Sequence, residues 1–266
     1  MYSLKKVFDD ESSPLESEDD VTESPKLDGA AISLFYEGQQ LVRGITRGDG
    51  VEGEDITDKV YLISSIPKVI DQDYPRQIDG EIVVSKKIKN ARNYASGALH
   101  IGSNKEFKDT RSAQLIFIAY NFRPYLWTSY FDDMMQLEDY GFLTILDGEY
   151  CKDFFRTDGT VIRLNSNGEY GRLGYTAKHP RGAYARKLSS DVEIVETVLL
   201  DVIWQVGRTG QVTPVAIFED IVIDDAVINR ATLHNVGILR ELDLEIGDLI
   251  LVTRSGGIIP KVLGKA

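Results

Sequence analysis

Hydrophobic positions along the chain fall mostly into short runs and alternations, the pattern of β-strands. Between Ala30 and Ile45 two β-type runs flank Glu37-Gly38, which predicts a hairpin. Gln77 to Ser85 alternates around Asp79-Gly80-Glu81 and predicts a strand, and the continuous apolar run Leu115 to Tyr120 predicts a buried one. Phe131 to Tyr140 spaces Phe131, Met134, Met135 and Leu137 as a helix does. The alternation from Thr160 to Leu164 puts Val161 and Arg163 on one strand face, Ile162 and Leu164 on the other. From about Ser189 the texture changes. Short β runs are punctuated by Val206-Gly207-Arg208-Thr209-Gly210, Asp224-Asp225, Ile246-Gly247-Asp248 and Ser255-Gly256-Gly257, the pattern of a small barrel.

Charge sharpens these boundaries. The formal net charge is −12 over 266 residues. Residues 1–25 hold eight acidic side chains and two lysines, so half of the imbalance lies there. Asp9 to Thr22 is acidic and serine-rich, which predicts a flexible, solvated stretch with ordered structure starting near Glu23. The expected organisation is therefore a lead-in over 1–22, a main domain over 23–188 and a β-rich domain over 189–266. The overall negative charge argues against nucleic-acid binding only superficially, because a local basic face is what phosphate contacts require.

Composition excludes other classes. No apolar run approaches the length of a membrane span, and the N-terminus lacks the apolar stretch of a secretory signal, so a cytoplasmic protein is expected. A single cysteine, Cys151, permits no disulfide within the chain and no cysteine-based zinc site. His100, His179 and His234 are scattered without metal-ligand spacing. No structural metal is expected, and Cys151 reads as a passive, partly buried residue.

The candidate chemistry lies in Ser24-Pro25-Lys26-Leu27-Asp28-Gly29, followed by Thr46-Arg47-Gly48-Asp49-Gly50 and Gly53-Glu54-Asp55. A lysine amine, a nearby aspartate and a glycine-rich loop carrying an arginine suit covalent nucleotidyl transfer. The amine attacks an α-phosphate, the arginine holds phosphate or ribose oxygens, and glycines let the backbone approach the ligand.

With these segments in hand, the chain resembles the NAD-dependent bacterial-type DNA ligases. Lys26-Leu27-Asp28-Gly29 resembles the family's nucleophile motif, with Ser3-Leu4 and Phe8 as its lead-in. Gly80-Glu81-Ile82, Asn90-Ala91-Arg92-Asn93, Asp158-Gly159-Thr160-Val161-Ile162-Arg163 and Leu173-Gly174-Tyr175-Thr176 to Lys187 are similar to its later motifs. Gln205 to Gly210, Thr213-Pro214-Val215-Ala216, Ala231 to Asn235 and Ile259-Pro260 resemble its OB-fold domain. The implied fold is α+β: a nucleotidyltransferase domain of ATP-grasp-like antiparallel sheets with helices, then a small OB-fold β-barrel.

The resemblance also implies roles. Lys26, Asp28 and Lys187 are the expected catalytic residues, with Lys26 carrying AMP. Arg163 and Lys187, pointing into the pocket, supply positive charge that favours the reactive amine. Arg47 holds ribose or phosphate, Glu81 the ribose hydroxyls, and Tyr120 either stacks on adenine or packs in the core. Leu27, Val161 and either Glu23 or Ser24 complete the cofactor pocket. Arg92, His100 and Arg208 are the expected DNA contacts. The donor is NAD, with magnesium held through phosphates and by Asp28 or Glu81, and the substrate is nicked duplex DNA.

Four positions depart from the family pattern: Ser24 for a glutamate, Asp79 for an arginine, Arg163 for a lysine and His100 for an arginine. The family's domain for the nicotinamide mononucleotide half of NAD and its C-terminal DNA-binding regions have no counterpart in the motifs, so either a second chain supplies them, which is the favoured expectation, or the sequence is a fragment, or the chain performs only the later steps. Competing readings are an ATP- or GTP-using nucleotidyltransferase of the RNA-ligase or capping type, and a non-catalytic nick-binding subunit.

Overall fold

The computed structural model describes residues 3–9, 11–15, 20–50, 52–187, 193–207, 210–223, 226–255 and 259–266. The chain divides into two compact units, Met1–Leu188 and Ser189–Ala266. In chain order the first carries β1 (Lys5–Phe8), β2 (Val21–Leu27), β3 (Ala30–Glu37), β4 (Gln40–Thr46) and α1 (Thr57–Val60). There follow β5 (Arg76–Val83), α2 (Ala91–Leu99), α3 (Asn104–Thr110), β6 (Ile116–Arg123), α4 (Tyr130–Asp139) and β7 (Leu143–Thr144). α5 (Gly148–Phe154), β8 (Thr157–Leu164), α6 (Asn167–Leu173) and β9 (Ala183–Lys187) complete it. Two sheets result, of order β4-β3-β5-β6-β7 and β1-β9-β8-β2.

The strand period places the main core. Ile32, Leu34 and Tyr36 of β3 alternate onto one face of the five-stranded sheet with Ile78 and Ile82 of β5 and Phe117 of β6. Val60, Leu99, Phe107, Met134 and Leu137 of four helices cover that face. The predicted hairpin closes through Gly38 and Gln39, both at positive φ (52° and 70°), as a two-residue turn matched to strand twist requires. Helix α4 starts where Ser129 Oγ accepts from the Asp132 amide at 3.2 Å. Gly80 sits where a Cβ would overlap Phe117 and the Ile118 carbonyl, so β5 and the β6 side chain meet only because the residue is glycine.

Asp79 lies on the opposite face of β5 and is 1% exposed. A buried carboxylate persists only with partners. Ser33 Oγ and Gln77 Nε2 donate to it at 2.7 Å each, and Asn121 Nδ2 at 2.8 Å.

One expectation is corrected here. The lead-in is not wholly a solvated stretch preceding the fold. β1 pairs in parallel with β9, and Val7 and Leu15 are buried with Ile162, Leu164, Tyr170 and Tyr184. Two apolar anchors among many acids are enough to dock the segment, and an average over composition hides them. The second unit carries β10 (Ile194–Val198), β11 (Asp201–Val206), β12 (Val212–Ile223), β13 (Ala226–Thr232), α7 (Val236–Leu242), β14 (Leu249–Ser255) and β15 (Ile259–Lys265). These strands form one six-stranded sheet, β10-β14-β15-β13-β12-β11, and among the described residues β10 and β11 remain edges rather than closing a ring. A register shift between Ile217 and Ile221 bends the long β12 over a core of Leu199, Ala216, Phe218, Leu233, Ile250 and Val252.

Candidate active site

Lys26 stands on β2 between buried Pro25 and Leu27, where the pairing with β8 slips by a bulge. A bulge re-aims the side chain of the strand that carries it. Lys26 Nζ donates to Asp158 Oδ1 at 2.6 Å, and Lys187 Nζ donates to Asp158 Oδ2 at 2.8 Å. One carboxylate from β8 thus holds two amines, one from each neighbouring strand. Gly159 makes this approach possible. It adopts φ +123°, and a Cβ there would overlap the Arg186 carbonyl and crowd Lys187 Cγ at 3.3 Å.

The other wall comes from the five-stranded sheet and α2. The Asp28 amide donates to the Arg156 carbonyl at 2.9 Å, and the Asp28 carboxylate pairs with Arg92 at 3.3 Å. Burial raises the Asp28 pKa, opposed first by Arg92. Gly29 lies where a Cβ would overlap the Ile82 carbonyl and approach Glu81 Cγ at 2.9 Å, so the Lys26–Gly29 segment rests directly on β5. Glu81 is pushed up to about 7 by burial, against the positive charges of Lys26, Arg47 and Arg92. Tyr120 is hydrogen-bonded to Glu81, and its hydroxyl is raised well above its usual range, chiefly by burial. The Arg47 amide donates to the Ala31 carbonyl at 3.0 Å, which fixes the glycine-rich loop beside β3. Its guanidinium charge is felt by both Glu81 and Tyr120.

Lys26, Asp28, Arg47, Glu81, Arg92, Tyr120 and Lys187 are therefore brought together. Ser24 and Val161 face each other across β2 and β8. Other expected site residues are placed differently. Glu23 alternates to the opposite face and pairs with Arg186 at 3.0 Å. Leu27 is buried among Val83, Ile118, Ile145, Cys151 and Phe155, which makes it a core residue beneath the site. His100 Nδ1 lies 2.7 Å from Glu54 Oε2, so its ring is already engaged within the chain. Arg208 lies outside the described residues.

Arg163 is the clearest correction, because its guanidinium does not point at Lys26. It donates to the Leu164 carbonyl at 2.7 Å and Asn167 Oδ1 at 2.9 Å. The rings of Tyr130 and Tyr170 lie 3.9 and 4.3 Å from its Cζ. A planar guanidinium with several donors is satisfied by such a cage.

Two residues were passed over in the sequence. Asp158 opens a recognised motif but was given no role, although it is the group that couples Lys26 to Lys187. Lys6 on β1 feels the charges of Lys187, Asp158, Lys26 and Arg92. The signal was the pair Lys5-Lys6, the only basic residues in an acidic first 25. Cys151 is buried and pushed up to about 11 by that burial, as suits a packing residue. Among the described residues no group of three or more His, Cys, Asp or Glu could hold a metal ion, and no helix is long and apolar enough to cross a membrane.

Comparison with known proteins shows the family. The NAD-dependent DNA ligase adenylation domain family matches residues 1–88, and the NAD-dependent DNA ligase OB-fold domain family matches residues 196–266. The DNA ligase of Phocaeicola vulgatus is 37% identical over 277 residues, which cover 90% of this chain and 41% of that protein. The DNA ligase of Shouchella clausii is 34% identical over 276 residues, covering 90% of this chain and 40% of the relative. The chain thus spans about two fifths of the length of these curated relatives. The solved structure Pmar-Lig_PreS3 shares the fold, with a TM-score of 0.54 at 11% identity over 97% of this chain and 65% of that one. Two family domains in their expected order, with a lysine-centred site in the first, place the chain in the NAD-dependent DNA ligase family, of which it carries the adenylation and OB-fold domains.

Proposed function

We propose that the chain is the catalytic core of a DNA ligase that seals nicks through an AMP group carried on Lys26, with NAD as donor. The observation that carries this reading is the joint hold of Asp158 on Lys26 and Lys187. In the first step the Lys26 amine forms a nitrogen–phosphorus bond to the AMP phosphate, and the bond to the nicotinamide mononucleotide phosphate breaks. Asp158, already hydrogen-bonded to that amine, is in place to accept its proton. Lys187 and Arg92 then lie beside the charge that develops on the phosphate. Glu81 and Arg47 orient the nucleoside. AMP passes to the 5′-phosphate of a nick, and the 3′-hydroxyl displaces it.

Magnesium suits the donor set. The ion is commonly held by one or two carboxylates together with substrate phosphates rather than by an all-protein cage. Asp28 would hold it with the phosphate oxygens, and bound there it would neutralise phosphate charge. The OB-fold unit is proposed to clasp duplex backbone without reading sequence, so binding weakens steeply as salt rises.

The test is sealing of a 5′-labelled nick with NAD, ATP or GTP supplied separately. Sealing that requires NAD and is lost in Lys26→Ala supports the reading. Sealing with ATP or GTP in place of NAD, or undiminished in Lys26→Ala, contradicts it.

A further inference from the structure

Lys6 occupies a position that the account above leaves unused. In the four-stranded sheet Lys6 pairs with Ala185, Ala185 with Val161, and Val161 with Ser24. Directly paired residues share a face of a sheet, and residues two apart on one strand do so as well. The row therefore puts Lys6 on the face of Lys187, two residues along from Ala185, and Lys26 meets Lys187 there through Asp158. Lys5, its neighbour, pairs with Tyr184 and projects to the other face.

The charge balance of this face is unequal. Lys26 and Lys187 share Asp158, and Arg92 is paired with Asp28. Lys6 is exposed and makes no ion pair among the described residues. With Arg47 and Glu81, five cations thus meet three carboxylates, which leaves an excess of positive charge at the site. Such an excess is suited to an anion, and Lys6 is the member free to take one.

Loss of surrounding water lowers the Lys6 pKa, and the Lys187 charge adds to that effect. An ammonium crowded by like charges gains more from an arriving phosphate than an isolated surface lysine does.

Resting on the adenylate-transfer reading, we propose that Lys6 binds a substrate phosphate adjacent to the one attacked by Lys26. That phosphate has two chemical sources: the leaving phosphate of the dinucleotide donor, or the terminal 5′-phosphate of the nick. A lysine suits either, since it acts as a point charge with three donors that tolerates phosphate in several orientations.

Binding assays separate the sources without relying on turnover. The full chain, Lys6→Ala, Lys6→Arg and Lys5→Ala are titrated with inorganic pyrophosphate, and with nicked duplexes bearing a 5′-phosphate or a 5′-hydroxyl. Circular dichroism checks that each variant is folded. Weaker pyrophosphate binding in Lys6→Ala, by about tenfold, assigns the leaving phosphate. A similar loss confined to the 5′-phosphorylated nick assigns the DNA end. In either case Lys6→Arg retains most of the affinity and Lys5→Ala matches the parent chain. Three results overturn the proposal: no phosphate-dependent binding by the parent chain, equal losses with both nicks and none with pyrophosphate, or equal losses in Lys5→Ala. A Lys6→Ala chain that binds as the parent does also overturns it, and leaves the ligase reading intact if the parent seals nicks. Conversely, phosphate discrimination through Lys6 in a chain that seals nothing under any donor overturns the ligase reading alone.

Discussion

Lys26 and Lys187 meet on a single carboxylate, with Lys26 Nζ 2.6 Å from Asp158 Oδ1 and Lys187 Nζ 2.8 Å from Asp158 Oδ2. All three side chains are partly exposed, between 16% and 26%, so solvent reaches the cluster and its contribution to stability is small. Its value is positional: on the proposed reading, Lys26 as nucleophile and Lys187 as the phosphate's cation are held in one frame before substrate arrives. Lys187→Ala should slow AMP attachment about 100-fold, the usual loss for a donor aimed at developing charge. Asp158→Asn should slow attachment while moving the melting temperature by only about 3 °C or less. A single-turnover assay with labelled donor, run beside thermal melts, checks both.

Glu81 should make the protein pH-sensitive. Its folded pKa, about 7, lies above its ordinary value of 4.5. The native state therefore binds the proton more tightly than the unfolded chain. The resulting stabilisation is fully present below about pH 4.5 and is lost as pH rises through 7. Urea melts at pH 5 and pH 8 should show a loss that Glu81→Gln reduces. The carboxylate needed to accept ribose hydroxyls forms over the same interval, so donor binding should strengthen between pH 6 and about pH 8. Donor affinity that is flat across this range would contradict the assignment.

Gly159→Ala tests the approach of β8 to β9. The new methyl meets the Arg186 carbonyl, and the residue must hold φ +123°. Overpacking and left-handed backbone strain should together cost about 1–3 kcal/mol. Because the affected neighbour is Lys187, AMP attachment should fall as well. Denaturant titration and the single-turnover assay measure the two effects separately.

Arg163→Lys should act on the fold rather than on the chemistry. Lysine lacks the planar fork that spaces the two Arg163 hydrogen bonds and has no planar head to stack between Tyr130 and Tyr170. A loss of about 1–3 kcal/mol in stability is expected, with the KM for donor changed less than about twofold. A large rise in KM with unchanged stability would instead place the side chain at the donor.

Much of this was legible in the chain. Strand alternation located β3, β5 and β6, and the spacing of Met134 and Leu137 located α4, because burial on one face imposes a period. The Lys26 segment and the glycine loop stood out by residue type, whereas the role expected of Lys187 came only from the family resemblance. What stayed hidden depended on long-range register. Lys6 reaches the site only because β1 pairs in parallel with β9, 180 residues away in sequence by the Lys5–Tyr184 pair to within about one residue. Arg163 shares a strand face with Val161, yet a tyrosine cage drawn from α4, α6 and a loop captures its head. Alternation assigns a side chain to a face and says nothing of which neighbours fill the space beside it. The lead-in was misread for a related reason, since Val7 and Leu15 are too few to alter an acidic average.

The most direct test of the central claim is the intact mass of the chain after incubation with NAD, magnesium and any candidate partner chain. The account predicts a gain of one AMP, mapped to the Lys26 peptide and absent in Lys26→Ala. An AMP adduct on another residue, or an unchanged adduct in Lys26→Ala, would contradict it.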